Sequence, residues 1–113
     1  MNTRLKLRHV RSINEDGVIR NRGGATVSAE VDTDTGRVTK FFVAFCSPRD
    51  NFNRNYGKIK ATNQMQPNDL NMSWEDILTL TRRTVDNQIN VERKRIVSKY
   101  ENKLAHILAK LNG

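Results

Sequence analysis

The feature that most constrains this chain is a segment of about forty residues, from Ser73 to Asn112, that contains neither proline nor glycine. Apolar residues recur in it at intervals of eleven. One row contains Trp74, Val85, Ile96 and Ile107, and a second contains Leu78, Ile89, Tyr100 and Leu111. Because eleven residues span three helical turns, both rows run along the axis of an α-helix. Ser73, followed by Glu75 and Asp76, is typical of a helix start.

A continuous helix over this segment would be roughly 55 Å long. The whole chain has 113 residues, the size of one ordinary domain, so the rest of it is too small to cover such a helix. Either the helix breaks near residues 86–90 to form a helical hairpin, or its far half meets another chain. Five apolar residues in the far half have the three-and-four spacing of paired helices: Val97, Tyr100, Leu104, Ile107 and Leu111. We predict that they form an oligomer interface and that the chain pairs as a homodimer.

The N-terminal part has the pattern of β-strands. Leu5 and Leu7 alternate with Arg4, Lys6 and Arg8, which predicts a strand with one apolar face and one cationic outer face. A turn at Asp16-Gly17 precedes a second strand that begins at Val18-Ile19, and Gly23-Gly24 predicts a flexible loop or a bulge.

Residues 25–46 predict a hairpin around a turn at residues 32–36. Its second strand is apolar on both faces near its end and is therefore either central in the sheet or covered by a helix. The predicted fold class is α+β: an antiparallel sheet of three or four strands within residues 4–46, then a short helix, then a long C-terminal helix or helical hairpin. In domain terms, residues 1–66 form a basic unit, 67–72 a linker and 73–113 an amphipathic helical segment.

The short helix is predicted to follow Pro48, with Asp50 or Asn51 as its cap. Phe52, Tyr56 and Ile59 share one helical face, which favours a place in the core. The alternative is that Phe52 and Tyr56 stack on nucleic-acid bases.

Positive charge is the strongest global signal, with 20 Lys and Arg against 12 Asp and Glu, a formal net charge of +8. Such a surplus favours polyanions, either nucleic acid or an acidic protein surface. The candidate contact residues are Arg20, Arg22, Arg49, Arg54, Lys58, Lys60, Arg93, Lys94 and Arg95. Further cations are Arg4, Lys6, Arg8 and Arg11 on the first strands, and Arg82-Arg83 on the late helix.

Residues suited to catalysis or metal binding are few. His9 and His106 have no cysteine or carboxylate at metal-ligand spacing, and Cys46 ends an apolar strand as an inert thiol. Asp32 and Asp34 are explained by a turn. We therefore predict no metal, no cofactor and no catalytic residues, hence a protein that is not an enzyme. The lack of a long apolar run or a signal segment favours a cytoplasmic location without membrane contact.

One stretch resembles known proteins. Residues 25–66 contain a strand pair that leads into Phe45-Cys46-Ser47-Pro48-Arg49-Asp50-Asn51-Phe52, followed by Arg54 and Gly57. This stretch resembles small basic accessory proteins of bacteriophages and mobile elements, and its order of hairpin and basic helix is loosely similar to double-stranded-RNA-binding folds. The resemblance implies a viral protein that binds nucleic acid or modulates the host, in the host cytoplasm.

Three functions follow as expectations. The first is binding of DNA or RNA through phosphates with limited sequence specificity. The second is inhibition or adaptation of a host enzyme, such as a polymerase, nuclease or defence complex, through its acidic surface or nucleic-acid channel. The third is a structural or assembly role that depends on the late helix.

Overall fold

The structure is a computed structural model that describes residues 2–112. Its elements are β1 (Thr3–Val10), β2 (Ala25–Asp32), β3 (Val38–Phe45), α1 (Arg54–Asn63), β4 (Gln66–Pro67) and α2 (Trp74–Asn112). The strands form one antiparallel sheet in the order β1-β2-β3-β4, with α1 and α2 on opposite faces. The predicted α+β class is confirmed, as is the hairpin of β2 and β3.

β2 is buried on both faces because it lies between two neighbouring strands and two helices. Ala25, Val27 and Ala29 are fully buried towards α2, and Thr26 and Ser28 are fully buried towards α1. The central strand β2 therefore has one face of aliphatic side chains and one face of small polar ones. The aliphatic face packs against α2, and the small polar face packs against α1.

The aliphatic face packs against the first half of α2 and forms the main core. Ile77 and Val85 are each 1 % exposed, and they join Val10, Val27 and Val31 in one cluster. Val85 belongs to an apolar row of the sequence, as do Trp74, Leu78 and Ile89 on the same side of the helix, whereas Ile77 lies outside both rows. The eleven-residue period thus identifies the side of α2 that contacts the sheet.

The polar face allows α1 to approach the sheet closely. The Ser28 hydroxyl donates a 2.7 Å hydrogen bond to the carbonyl of Ala61, and a Cβ at Gly57 would overlap the Thr26 hydroxyl. Gly57 is therefore required for packing, although it weakens the helix itself.

The predicted apolar face of α1 is wrong. Tyr56 and Ile59 are 65 % and 60 % exposed, and Gly57 and Ala61 are the residues that face the sheet. The helix also begins later than predicted, since Asn53 is its cap and accepts a 3.0 Å hydrogen bond from the Tyr56 amide.

The predicted orientation of β1 is also reversed. Lys6 and Arg8 lie opposite Ala29 and Val27, so they share the face that packs against α2. The ammonium of Lys6 lies 5.5 Å from the centre of the Trp74 ring. Because β1 is an edge strand, the aliphatic stems of such side chains can cover the core while their charges reach water. Leu5, predicted to be inward, is 48 % exposed.

The segment between β1 and β2 does not contain the predicted second strand. Ile13 and Ile19 form only an isolated bridge, closed by a turn in which Asn14 accepts from the amides of Asp16 and Val18. Gly23 and Gly24 are buried with φ of 75° and 102°.

The fourth strand lies outside residues 4–46, in a segment predicted to be loop and linker. Gln66 and Pro67 pair with Phe41 and Lys40 at the edge of the sheet, a position that tolerates proline. Asn68 then donates to the carbonyls of Val38 (2.8 Å) and Met72 (2.9 Å) and accepts from the Met72 amide (3.0 Å). This residue connects β3 to the start of α2.

We expect Asn68→Ala to lower the free energy of unfolding by about 2 kcal/mol, since it leaves backbone groups of Val38 and Met72 without partners. Urea denaturation followed by circular dichroism measures this change. The control is Asn102→Ala, an exposed position on α2 that should shift stability by less than about 0.5 kcal/mol. An equally small change for Asn68→Ala would contradict the connecting role of Asn68.

α2 is one continuous helix of 39 residues, so the helical-hairpin alternative is wrong. Residues 93–112 are all exposed and extend roughly 30 Å past the sheet, which gives the molecule dimensions of 74 × 27 × 26 Å. Among the described residues, no helix is both long and apolar enough to cross a membrane. Within residues 2–112, α2 therefore lacks tertiary packing beyond Ile96.

Candidate functional site

Charge is separated along the strand direction. The end of the sheet where α2 begins contains six of the twelve carboxylates, namely Glu30, Asp32, Asp34, Asp69, Glu75 and Asp76. The other end contains the loops 11–24 and 46–53 and the middle of α2, which are rich in arginine. This second end is the most cationic part of the fold.

A groove of about 480 Å³ lies at the arginine-rich end. Arg20, Arg22, Arg49 and Arg93 line it from three separate parts of the chain. The backbone bridge between Arg22 and Asn51 holds the two loops together, and the amide of Phe52 donates a 2.8 Å hydrogen bond to the carbonyl of Asn21. The loops therefore fix the spacing of these cations.

Two carboxylates partly neutralise this groove. The Glu92 carboxylate accepts hydrogen bonds from Arg49 (3.2 Å) and Arg95 (2.8 Å). Both bonds lower the pKa of Glu92, and the bond from Arg95 has the larger effect. Arg93 lies 3.6 Å from Glu15, whose side chain is 86 % exposed. Ion pairs as exposed as Arg93–Glu15 contribute little, so an incoming phosphate can replace the carboxylate at small cost.

A second set of arginines continues the groove towards β1. Arg8, Arg82 and Arg83 line one pocket together with Asp86. Arg82 donates a 3.5 Å hydrogen bond to the carbonyl of Arg11, and Arg11 donates a 2.7 Å bond to the carbonyl of Arg20. These contacts connect the pocket with the groove.

Arg54 lies at the start of α1, near His9 at the same end of the sheet. Burial lowers the pKa of His9 most, and the positive charges of Arg54 and Arg11 lower this pKa further. The His9 Nδ1 atom lies 2.9 Å from the Thr26 hydroxyl. We define the arginine surface as Arg8, Arg11, Arg20, Arg22, Arg49, Arg54, Arg82, Arg83 and Arg93. It contains nine of the twelve arginines, whose planar guanidinium groups suit bidentate binding of phosphate.

The other predicted contact residues lie elsewhere. Lys60 lines a different pocket, with its ammonium 6.0 Å from the centre of the Tyr56 ring. Lys94 lines a shallow groove on α2, Lys58 is exposed on α1, and Arg95 is bound to Glu92. The sequence therefore identified part of the surface but grouped it with lysines from other sides of the molecule.

The sequence prediction did not associate Arg8 and Arg11 with Arg82 and Arg83. The available signal was that β1 and α2 both have cations beside apolar positions. Whether these cations come close to each other depends on how α2 crosses the sheet.

Cys46, predicted to be inert, lies near this end, and burial raises the pKa of its thiol.

The predicted oligomer residues form an uncovered stripe. Val97, Tyr100, Leu104, Ile107 and Leu111 are between 46 % and 77 % exposed. Ile96 extends the stripe into the groove, where Val18 and Ile19 are also exposed. The arginine surface thus has an apolar border that continues along α2.

Comparison of the chain with protein-family models, curated proteins and solved structures finds no match.

Proposed function

We propose that the arginine surface binds the phosphate backbone of nucleic acid with limited sequence specificity. The observation that supports this most is the convergence of Arg20, Arg22, Arg49 and Arg93, distant in sequence, on one groove. Phosphate contacts position a protein on nucleic acid without distinguishing bases, which agrees with a site of many guanidinium groups.

The surplus of charge supports the same proposal. Of the carboxylates that lie among these arginines, Glu15 is highly exposed, Glu92 is shared by two guanidinium groups, and Asp86 lies in the pocket of Arg8, Arg82 and Arg83. A bound phosphodiester chain would displace condensed counterions into bulk solvent, and the affinity would depend steeply on salt.

Fluorescence anisotropy with labelled single- and double-stranded DNA and RNA tests this proposal. If four phosphates are contacted, affinity should fall about a hundredfold between 50 and 200 mM salt. Nuclease-treated protein must be used, so that co-purified nucleic acid does not mask the site. Absence of binding at 50 mM salt, or affinity that is independent of salt, would contradict the proposal.

A second candidate function is binding to an acidic surface of a host enzyme as an inhibitor or adaptor. It is favoured by the apolar walls of the groove, where Ile19, Ile89 and Ile96 lie beside the arginines, since protein interfaces combine apolar and arginine contacts. A pull-down from nuclease-treated lysate distinguishes the two functions. One stoichiometric protein partner favours the inhibitor, and the loss of all partners favours nucleic acid. Origin in a phage and action in the host cytoplasm stay predictions of the resemblance.

We also propose that a second copy of this chain covers the far half of α2. The stripe of Val97, Tyr100, Leu104, Ile107 and Leu111, with Ile96 and Leu108, exposes on the order of 700 Å², close to the roughly 800 Å² that each partner of a standard interface buries. Most helical stability in proteins comes from packing of an apolar face, so pairing would stabilise this segment. An antiparallel pair would place the end of each helix beside the exposed Ile13, Val18 and Ile19 of the other copy.

We expect Leu104→Asp to abolish this dimer, because it buries an unpaired carboxylate in the centre of the seam. Analytical ultracentrifugation at several protein concentrations measures the association. The control is Ala105→Asp, which adds the same charge at an exposed position outside the stripe and should leave the dimer intact.

Added salt should strengthen the dimer, because Lys99, Lys103 and Lys110 of the two copies repel each other. This salt effect is opposite to the one expected for nucleic-acid binding. A wild-type monomer at high salt would contradict the pairing.

A further inference from the structure

A pocket of about 350 Å³ lies on the other side of the loop 46–53 from the arginine-lined groove. Phe52 and Tyr56 supply its aromatic walls, and Asp50, Asn51, Asn53 and Lys60 supply polar and charged groups. It forms where the end of β3, the loop and the first turn of α1 meet. The proposed phosphate-binding function does not use this pocket.

The aromatic groups in this pocket have different roles. Phe52 is fixed within the fold, because the Arg11 guanidinium lies 5.0 Å from its ring centre and the His9 ring packs edge-on with its centre 5.5 Å away. Tyr56 is 65 % exposed. A tyrosine this exposed on a short helix gains little from folding. The Lys60 ammonium lies 6.0 Å from the centre of its ring, and the opposite ring face can stack on a planar ligand.

The location of the pocket indicates which planar ligand fits. Asn51 bridges to Arg22, a member of the arginine surface, so the pocket and the phosphate-binding groove share the loop between them. A chain whose phosphates lie on the arginines can therefore place an adjoining base in the pocket. The amide groups of asparagine can donate to and accept from base edges, and Lys60 adds positive charge at the pocket.

We propose that this pocket holds an unpaired nucleobase stacked on Tyr56, so that the protein prefers single-stranded to double-stranded nucleic acid. The inference rests on the proposed function, because the arginine surface supplies the phosphate contacts. A base within a duplex is already stacked and paired and cannot enter the pocket without flipping out. Base stacking on aromatic side chains tolerates any base, in agreement with limited sequence specificity.

The test compares Tyr56→Ala with wild type by fluorescence anisotropy, using a labelled twelve-nucleotide oligothymidine and a twelve-base-pair duplex at 50 mM salt. We expect Tyr56→Ala to weaken single-strand binding at least about tenfold and to change duplex binding less than about twofold. Tyr56→Phe keeps the ring and should bind both as wild type does. The control is Ile59→Ala, equally exposed on α1 but outside the pocket, which should change neither affinity.

The outcomes separate the two proposals. Equal affinity of wild type for both oligonucleotides, with no loss in Tyr56→Ala, would overturn the base pocket and leave phosphate binding intact. Parallel loss of both affinities in Tyr56→Ala would likewise overturn it, and circular dichroism of the variant would show whether misfolding is the cause. Should Tyr56→Ala be misfolded, Tyr56→Gln, which also removes the ring, takes its place under the same two expectations. No binding of either oligonucleotide by wild type would overturn both proposals.

Discussion

The double substitution Arg22→Gln and Arg93→Gln is expected to weaken nucleic-acid binding by at least tenfold at 100 mM salt. These two residues line the groove from opposite sides, one on a loop and the other on α2. If each contacts one phosphate, the slope of log affinity against log salt should become shallower by about 1.8. Anisotropy titrations of one oligonucleotide at four salt concentrations give both quantities.

The matched control is Arg37→Gln with Lys40→Gln. It removes the same charge, but at the end of the sheet that contains the acidic residues. Its affinity should stay within about threefold of wild type, with the wild-type slope. Equal losses in both double variants would mean that net charge alone, rather than the arginine surface, controls binding.

Gly57→Ala is expected to destabilise the fold by about 3 kcal/mol, although alanine favours an isolated helix by about 1 kcal/mol. The added methyl group would overlap the Thr26 hydroxyl, and Thr26 is fully buried in β2. Relief requires α1 to move away from the sheet, which would also weaken the hydrogen bond from Ser28 to Ala61. Urea denaturation followed by circular dichroism measures the change.

A second substitution separates steric overlap from other effects of Gly57→Ala. Thr26→Ala removes the overlapping hydroxyl, so the added cost of Gly57→Ala should fall by at least about 1 kcal/mol in that background. Asn55→Ala, exposed on the same helix, should be neutral or slightly stabilising. If Gly57→Ala were as stable as wild type, the close approach of α1 to the sheet would be wrong.

Sequence patterns predicted the elements of this fold better than their contacts. The period of eleven located α2 and its buried side, because that period depends only on helix geometry. Alternation in β1 showed that its two faces differ. It did not show that the face of Lys6 and Arg8 would meet α2, since an edge strand can place long cationic side chains over a core.

The short helix was misassigned for a related reason. The spacing of Phe52, Tyr56 and Ile59 suggested an apolar face. The central strand β2, however, presents Thr26 and Ser28 to this helix, and these small side chains favour a close approach of Gly57 and Ala61. The helical periodicity of α1 does not contain this information, because the distance between α1 and the sheet depends on the side-chain volumes of the sheet.

The candidate site was predicted in part. Arg20, Arg22, Arg49 and Arg93 do share a groove, whereas Lys60 and Lys94 lie on other surfaces. Composition predicts how much positive charge a chain has. Its distribution depends on the crossing of α2 over the sheet and on the bridge between the loops, which no local pattern encodes.

Chemical-shift mapping of the ¹⁵N-labelled protein during titration with a short oligothymidine measures most directly where a polyanion binds. We predict that the perturbed amides cluster around residues 8–11, 20–24, 46–56 and 82–95, while those of residues 32–37 and 69–76 stay unchanged. Perturbations spread evenly over the sheet, or concentrated at residues 32–37 and 69–76, would contradict the assignment of the arginine surface as the binding site.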